Sequence, residues 1–380
     1  MPSFYEFFAG GGMVRAGLGT KWQCLFANDF DHKKSRTYKK NWGDGQLKTV
    51  DVGSLTTGDI PGHADLAWAS FPCQDLSLAG GGAGLKGDRS GTFWPFWNLM
   101  KGLIDDNRAP RLIVLENVGG MLTSHNGSDF RTICTALQTG GYSVGAMMLD
   151  ASFFVPQSRP RLFIICSRNG AQIPERLRTE LPQPPWHTRI KRAYNELPGS
   201  VASDWIWWHL PMPGMRTTSF ADLIEENPPD VEWFSRDQMA DLLAQMSTIH
   251  REKLRRVKQL NRPIVGGLYR RTRENDKGIK VQRAEVRFDE VSGCLRTPAG
   301  GSSRQVIVVV DGATVRARLI SSRETARLMG LPDTYELPGR YNEAYHLTGD
   351  GVVVPVVRHL AKYLLEPLVE SHDKRASAAA

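Results

Sequence analysis

Short apolar runs alternate with longer mixed segments through the first 167 residues of the chain. Four of these runs have the length and composition of buried strands: residues 4–8, 64–69, 112–115 and 162–166. Three stretches between them have the apolar spacing of helices, around residues 15–17, 93–104 and 130–137. Strands that alternate with helices predict an α/β fold, a parallel sheet with crossover helices.

Three of the predicted strands are followed directly by glycine-rich or polar motifs. The first precedes AGGG (9–12), the second precedes SFPCQ (70–74), and the third precedes ENV (116–118). In open α/β sheets, ligands bind outside the carboxyl ends of the strands. We therefore expect the three motifs to meet in one cleft.

The composition changes after Arg168. Proline becomes frequent, tryptophans cluster at Trp205, Trp207 and Trp208, and a helical stretch covers residues 236–259. We expect residues 168–337 to form a smaller inserted domain, although an irregular extension of the first domain is the alternative. Residues 1–167 and 338–370 would form the larger domain, and residues 371–380 a disordered tail.

Positive charge is concentrated in this second region. The whole chain carries a formal net charge of +8, whereas the segment from His250 to Arg287 holds thirteen Lys or Arg and four Asp or Glu, a net +9. Such a segment predicts a polyanionic partner, such as nucleic acid. A solvated basic face is the alternative interpretation.

Cysteine usage and hydropathy limit the protein class. The five cysteines are scattered and form no CxxC pair, which favours neither a zinc site nor a disulfide framework. No run of eighteen apolar residues is present, and the N-terminus lacks the pattern of a signal peptide. We expect a protein without metal or membrane span in a reducing cytoplasm, where a free cysteine can act as a nucleophile.

The glycines after the first strand indicate a nucleotide-type ligand. A dinucleotide fingerprint would require glycine where Arg15 stands, and a P-loop would require Lys-Ser or Lys-Thr at 18–19, where Leu-Gly stands. S-adenosylmethionine carries no phosphate and needs only the close turn. Asp29, nineteen residues beyond Gly10, has the offset of a ribose-binding acid. A tight structural turn would explain the glycines equally well.

Candidate catalytic chemistry lies at four side chains. Cys73 precedes a glycine-rich stretch, which suits a reactive residue beneath a mobile lid, with a buried small hydrophobe beside a plain loop as the alternative. Glu116 follows an apolar run, where a carboxylate is costly unless it is used or ion-paired. Arg159 and Arg161 alternate before a strand and would share one face, with surface arginines as the alternative.

These motifs together resemble those of the bacterial DNA cytosine-5 methyltransferase family over nearly the whole chain, and they follow the family's order. The resemblance is carried by FAGGG (8–12), NDF (28–30), FPCQ (71–74), ENV (116–118), QSRPR (157–161) and the segments 318–333 and 349–356. It implies a Rossmann-like, S-adenosylmethionine-dependent methyltransferase domain with a smaller inserted target-recognition domain. It also implies S-adenosylmethionine as the cofactor and double-stranded DNA as the partner.

The resemblance further implies roles for individual residues. Cofactor-binding residues would be Phe8, Ala9, Gly10, Gly12, Asp29, Phe30, Asp51 and Pro72. Among them, Asp29 would bind the ribose, Phe30 would stack on adenine, and Asp51 would contact the adenine amino group.

Four residues would be catalytic by the same resemblance. Cys73 would attack carbon 6 of cytosine, and Glu116, protonated or sharing a proton, would act at N3. Arg161 would hold O2, with Arg159 supporting the loop. Two positions depart from the family pattern: Met13 replaces a frequent second glycine, and Asp350-Gly351 replaces the usual Asn-Ala.

The choice of DNA site must come from outside the catalytic motifs, because those motifs accept any cytosine. We expect Arg270, Arg271 and Arg273, in an arginine-rich loop of the insert between Gly267 and Gly278, to contact guanines, with phosphate contacts as the alternative. A tRNA cytosine-5 methyltransferase and a non-catalytic DNA-binding relative are the competing functions. The long basic insert favours DNA, and the intact set of candidate catalytic residues favours an enzyme.

Overall fold

The structure is a computed structural model that describes residues 1–72, 92–274, 278–297 and 304–379. The described strands are β1 (Ser3–Phe7), β2 (Gln23–Asp29), β3 (Leu47–Thr49), β4 (Leu66–Ala69), β5 (Leu112–Val118), β6 (Tyr142–Asp150), β7 (Pro160–Arg168), β8 (Arg178–Thr179), β9 (Trp207–Trp208), β10 (Ile264–Glu274), β11 (Lys280–Arg287), β12 (Val306–Asp311) and β13 (Thr314–Leu319). The described helices are α1 (Met13–Leu18), α2 (His32–Trp42), α3 (Phe93–Asp105), α4 (Ser128–Thr139), α5 (Ile190–Tyr194), α6 (Gly199–Ser203), α7 (Arg236–Ala244), α8 (Thr248–Lys258), α9 (Ser322–Leu328), α10 (Tyr341–Asp350), α11 (Val354–Leu360) and α12 (Glu366–Ala379).

The chain divides into two compact units. The first unit contains Met1–Asp150, Pro160–Pro213 and Val352–Ala380, and the second contains Ala151–Arg159 and Gly214–Gly351. This division differs from the boundaries expected from the sequence, because residues 168–213 belong to the first unit, whereas residues 151–159 and 338–351 belong to the second.

Specific contacts account for two of these differences in the domain boundaries. In the tryptophan-rich segment, the buried Trp208 indole donates to the Ile165 carbonyl of β7 at 3.0 Å, which ties that segment to the first unit. Thr348 of α10 donates to Thr325 of α9 at 3.0 Å within the second unit. The end of the chain also differs from the expected disordered tail, since α12 continues to Ala379.

A seven-stranded sheet in the order β3-β2-β1-β4-β5-β7-β6 forms the first unit. The strands β3, β2, β1, β4 and β5 pair in parallel, whereas β7 is antiparallel to both of its neighbours. Every residue of β1 and β4 is buried, as expected for parallel strands covered on both faces. The predicted α/β fold is confirmed, although the strand predicted at 162–166 is antiparallel.

The strand order reverses between β1 and β4, the position where open α/β sheets bind ligands. The glycine motif follows the end of β1, and Phe71 and Pro72 follow the end of β4. Arg161, near the start of the antiparallel β7, is paired in register with Val118 at the end of β5. The topology therefore places residues from each predicted motif of the first unit at one edge of this sheet.

The second unit contains an antiparallel sheet in the order β11-β10-β12-β13. Leu254 and Val257 of α8 and Leu242 of α7 pack with Leu268 and Val308 of the sheet in one hydrophobic core. The single helix expected at 236–259 is two helices. The chain is interrupted at 245–247, where the Gln245 carbonyl accepts from the Ala284 amide at 3.1 Å and Ser247 is extended.

Candidate active site

The glycine turn after β1 has a conformation that restricts its sequence. Phe8, Gly10 and Gly12 all have positive φ angles, of 58°, 56° and 79°. Glycine adopts this region without penalty, whereas a residue such as Phe8 loses about 1–2 kcal/mol there. Strained residues of this kind persist where the surrounding structure holds them, often at ligand sites. The turn is therefore built to a defined shape.

Asp29, at the end of β2, holds this turn in place. Its carboxylate is 6% exposed and accepts the Gly10 amide at 2.8 Å through Oδ2 and the Asp31 amide at 2.8 Å through Oδ1. Burial raises the pKa of Asp29, against the lowering effects of Lys34 and the two amides. Each carboxylate oxygen has two lone pairs, so both can still accept a ligand hydroxyl. Asp29 thus orders the turn, and its expected contact with a ribose stays a prediction.

The surroundings of the turn fit a ligand with a flat apolar ring. Phe30 is 62% exposed and Val50 is 39% exposed, both unusual for large apolar side chains. A Cβ atom added to Gly10 would meet no atom within 4 Å, so the turn faces open space. Asp51 is exposed, and its Oδ1 accepts the Gly53 amide at 2.7 Å. These residues are compatible with S-adenosylmethionine, which has an adenine ring and ribose hydroxyls.

Glu116 and Arg161 form an ion pair at the same edge of the sheet. The Arg161 Nε atom lies 3.2 Å from Glu116 Oε1, and the two side chains are only 16% and 7% exposed. A buried pair of this kind places a carboxylate and a guanidinium side by side with little water around them. The sequence left an ion pair as the alternative interpretation of Glu116. That ion pair is present, and its partner, Arg161, is itself a candidate catalytic residue.

Asn117 connects this pair to the end of β4. Its Nδ2 atom donates to the Phe71 carbonyl at 3.2 Å, and the bond is buried. Pro72 follows and is half-buried. Cys73 comes next in the sequence and lies outside the described residues. Asn117 lies in the ENV motif, but the sequence alone assigns it no role, because only the folded neighbour reveals what the amide binds.

The other four cysteines lie among the described residues and form no disulfide with one another. Burial raises the pKa of the Cys24 thiol to about 11 and raises those of Cys134 and Cys166 as well, so these thiols stay protonated at neutral pH. Within residues 1–72, 92–274, 278–297 and 304–379, no group of three or more His, Cys, Asp or Glu side chains is placed to hold a metal. In the same ranges no helix is long and apolar enough to cross a membrane.

Arg159 has a different environment from Arg161. It belongs to the second unit, is 2% exposed, and donates to the Leu295 carbonyl at 2.8 Å and to the carbonyls of Gly349 and Gly351 at 2.7 Å each. A guanidinium bound to three carbonyls joins three chain segments and is a positioning group. Arg161 belongs to the first unit, so the two arginines expected to share a face have separate partners.

The two departures from the family pattern have structural counterparts. Met13 is the first residue of α1 and is buried, with Gly12 supplying the left-handed residue before the helix. Asp350 ends α10, and its carboxylate accepts a hydrogen bond from the Thr297 hydroxyl. The side chain at position 350 therefore acts as a hydrogen-bond acceptor within the second unit.

The three arginines expected to contact DNA lie in strand β10 rather than in a loop, and β10 pairs with β11 to form the β10–β11 ribbon, residues 264–274 and 280–287 of the second unit. Arg271 and Arg273 lie on one face of β10, where their Nε atoms are 3.3 Å and 2.7 Å from the Glu285 carboxylate of β11. Arg270 points to the opposite face, in register with Ala284. All three arginines are exposed. One face of the ribbon carries Arg271 and Arg273 with Glu285, and the other face carries Arg270.

Comparison with known proteins identifies the family. The sequence model of the C-5 cytosine-specific DNA methylase family matches residues 3–366. The Type II methyltransferase M.HpaII of Haemophilus parainfluenzae is 25% identical over 98% of this chain and 91% of its own length. M.HhaI of Haemophilus parahaemolyticus is 23% identical over 94% of this chain and 92% of its own length.

Solved structures share the fold. The Dnmt2 methyltransferase of S. pombe aligns with a TM-score of 0.56 at 19% identity, and EhMeth of Entamoeba histolytica with a TM-score of 0.61 at 12% identity. Both alignments cover 97% of this chain and 99% of the other. Because the family match extends from β1 into α12, the chain belongs to the C-5 cytosine-specific DNA methylase family and is a DNA cytosine-5 methyltransferase.

Proposed function

We propose that this protein transfers a methyl group from S-adenosylmethionine to carbon 5 of cytosine in a specific double-stranded DNA sequence. The target base would be flipped out of the duplex, and Cys73 would form a covalent adduct at carbon 6. The observation that carries the proposal is the buried Glu116–Arg161 pair, 3.2 Å apart, next to the strand end that leads to Cys73.

The chemistry of cytosine explains why a thiolate is needed. Carbon 5 is a poor nucleophile because the ring is aromatic. When the Cys73 thiolate bonds to carbon 6, the electron pair of the 5,6 double bond moves into the ring and makes carbon 5 carbanion-like. Loss of the carbon 5 proton after methylation restores the double bond and expels the thiolate. A base inside a duplex is out of reach, so flipping is required.

The Glu116–Arg161 pair matches one edge of the cytosine ring. Negative charge that develops during addition is shared between N3 and O2. A guanidinium has five N–H donors, so Arg161 can keep its contact with Glu116 and also donate to O2. Glu116 would hold a proton at N3. Fixed groups in a site with little water stabilise such charge far better than solvent does.

Residues around the glycine turn would hold the cofactor. S-adenosylmethionine, when bound, supplies an electrophilic methyl group. Asp29 would accept from the ribose while it orders the turn, and the exposed Phe30 offers a flat face for adenine. The proposed cofactor set is completed by Phe8, Ala9, Gly10, Gly12, Asp51 and Pro72.

The β10–β11 ribbon would contribute to the choice of DNA site. On the face that carries Glu285, Arg271 stands directly opposite Arg283 and beside Arg273. Like charges directly opposite each other in a ribbon are destabilising, which a polyanionic partner would relieve. Arginine also contacts guanine through paired hydrogen bonds in the major groove. M.HpaII and M.HhaI are named Type II methyltransferases, and we propose the same restriction–modification setting for this protein.

Covalent trapping tests the reaction. Purified protein with S-adenosylmethionine is incubated with duplex DNA whose cytosines are replaced by 5-fluorocytosine. A parallel reaction contains a tRNA transcript with the same replacement. We expect a denaturation-resistant complex with the DNA, because fluorine cannot leave carbon 5 as a proton does. Cys73→Ser should abolish the complex. The control Cys294→Ser, at a half-buried thiol in the described part of the chain, should preserve it.

Trapping by Cys73→Ser would refute the nucleophile, and trapping on tRNA alone would refute the DNA substrate. The DNA used for trapping comes from a target site found by bisulfite sequencing of a methylation-free host that expresses the protein. In that host, single alanine changes at Arg270, Arg271 and Arg273 separate two roles. A base-contacting arginine should relax one position of the site, at about 1–3 kcal/mol, whereas a phosphate-contacting one should weaken all sites evenly.

A further inference from the structure

Trp42, the last residue of α2, contacts the glycine turn that follows β1. Its indole Nε1 donates to the Gly11 carbonyl at 3.0 Å. The N–H of the same peptide group, that of Gly12, donates to the Ala9 carbonyl at 2.8 Å. Both polar atoms of the peptide between Gly11 and Gly12 are therefore bound, and its orientation is fixed.

The indole also sets how closely the turn can approach α2. A Cβ atom at Gly12 would lie 2.7 Å from Trp42 Cδ1 and 2.9 Å from Tyr38 Cε2. Real Cβ contacts are not that short, so only glycine allows the turn to rest on the indole. Trp42 therefore acts on the turn both through a hydrogen bond and through direct packing.

A cation–π contact holds the indole itself. The Arg15 guanidinium lies over the Trp42 ring, 5.2 Å from its centroid, and Arg15 Nη1 donates to the Tyr38 hydroxyl at 3.1 Å. Arg15 occupies the position where a dinucleotide-binding turn requires glycine. A long side chain is thus used here to brace the support of the turn.

We propose that Trp42 is a positioning residue for the cofactor, which raises S-adenosylmethionine affinity by holding the Gly11–Gly12 peptide in its bound orientation. This inference rests on the proposed function, in which the turn binds S-adenosylmethionine. A turn that is ordered before binding loses less conformational freedom when the ligand arrives. The proposal assigns no contact between Trp42 and the ligand.

The test replaces Trp42 by phenylalanine, which keeps an aromatic ring against Gly12 and Arg15 and removes the N–H donor. Calorimetry with S-adenosylmethionine and with its demethylated product should show a dissociation constant about 3- to 10-fold weaker, the typical worth of one hydrogen bond. In turnover assays KM for the cofactor should rise similarly with kcat unchanged. Hydrogen exchange of the peptide that covers the turn should become faster.

Trp208→Phe is the matched control. It removes an indole-to-carbonyl bond of the same length, 3.0 Å, at a residue that does not contact the turn. It should lower Tm and leave cofactor affinity unchanged. Equal weakening by both variants, or unchanged affinity in Trp42→Phe, would overturn the positioning role. A wild-type protein that fails to bind S-adenosylmethionine would instead refute the proposed cofactor and this inference with it.

Discussion

The carboxyl edge of the first unit's sheet and the β10–β11 ribbon of the second unit hold charged groups by opposite means. At the sheet edge, Asp29 and Glu116 are each 6% exposed. Backbone amides bind Asp29, and the half-buried guanidinium of Arg161 binds Glu116. On the ribbon, the side chains of Arg271 and Arg273 are each 50% exposed, and both approach the carboxylate of Glu285.

This difference follows from the work that each region is proposed to do. Groups that stabilise charge in a reaction must be ordered before the substrate arrives and must be shielded from water. Groups that select a DNA sequence must reach into a groove of the partner, so they remain exposed until binding. Their ion pairs within the protein are correspondingly weak.

The largest expected difference between buried and exposed carboxyl groups is in how the free energy of unfolding changes with pH. Burial raises the pKa of Glu6, in β1, from 4.5 to about 8, against the lowering effect of Arg15. The folded state then binds the extra proton, so this contribution is full below pH 4.5 and is lost as the pH rises to about 8. Relative to Glu6→Gln, the wild type should lose stability on the order of 5 kcal/mol over that range.

Glu285 should behave with the opposite sign. Its hydrogen bond from Arg273 lowers its pKa below 4.5, so its contribution is present above that pH and is lost as the pH falls. Urea unfolding of wild type, Glu6→Gln and Glu285→Gln at several pH values measures both effects. Parallel stability curves for wild type and Glu6→Gln would show that Glu6 is not a buried titrating group.

Glu116→Gln should have the next largest effect, on catalysis. Glutamine keeps the shape of the side chain and can donate an N–H hydrogen bond at N3, but it cannot transfer a proton there, so kcat should fall about 10²- to 10⁴-fold. Dissociation constants for cofactor and DNA should change little. Single-turnover kinetics with saturating cofactor measures the loss, and a variant with kcat within threefold of wild type would remove Glu116 from the mechanism.

The glycine turn allows a matched pair of substitutions. Gly12→Ala should destabilise the protein by about 2–4 kcal/mol, because strain at φ 79° adds to the clash with Trp42 and Tyr38. Gly10→Ala, at φ 56° with no atom within 4 Å, should lose only about 1–2 kcal/mol. Denaturant unfolding measures the free energy of unfolding of both variants. Equal losses would mean that the Trp42 indole moves away from the added methyl group without a measurable loss of stability.

The smallest effect should come from the ribbon, when one carboxylate from each region is replaced by its amide. Asp29→Asn removes one charge-assisted bond to a backbone amide and should destabilise by roughly 1.5–3 kcal/mol, with weaker cofactor binding. Glu285→Gln, on the ribbon, should change stability by under about 1 kcal/mol. Calorimetric unfolding compares the two, and a larger loss from Glu285→Gln would contradict the distinction drawn between the regions.

Sequence reasoning located the sheet edge because strand ends and motifs are adjacent in the chain. Three predicted strands match observed ones. The strand before the glycine turn is β1, the strand before Phe71 is β4, and the apolar run before Glu116 is the first part of β5. It placed the second-domain boundary too early, because the bond from Trp208 to Ile165 joins residues 43 positions apart. Alternation also predicts that Arg159 and Arg161 share one face, but it could not reveal that Arg159 donates to carbonyls far away in the chain.

The sequence by itself determined the α/β class, the order of the motifs and the residue types available for catalysis, since these depend on local periodicity and on chemistry carried by single side chains. Only the tertiary structure decided that Glu116 pairs with Arg161, that Trp42 holds the Gly11 carbonyl, and that Arg271 and Arg273 share Glu285. Such contacts join positions far apart in the chain, and they form only when the packing of strands and helices brings those positions within hydrogen-bonding distance.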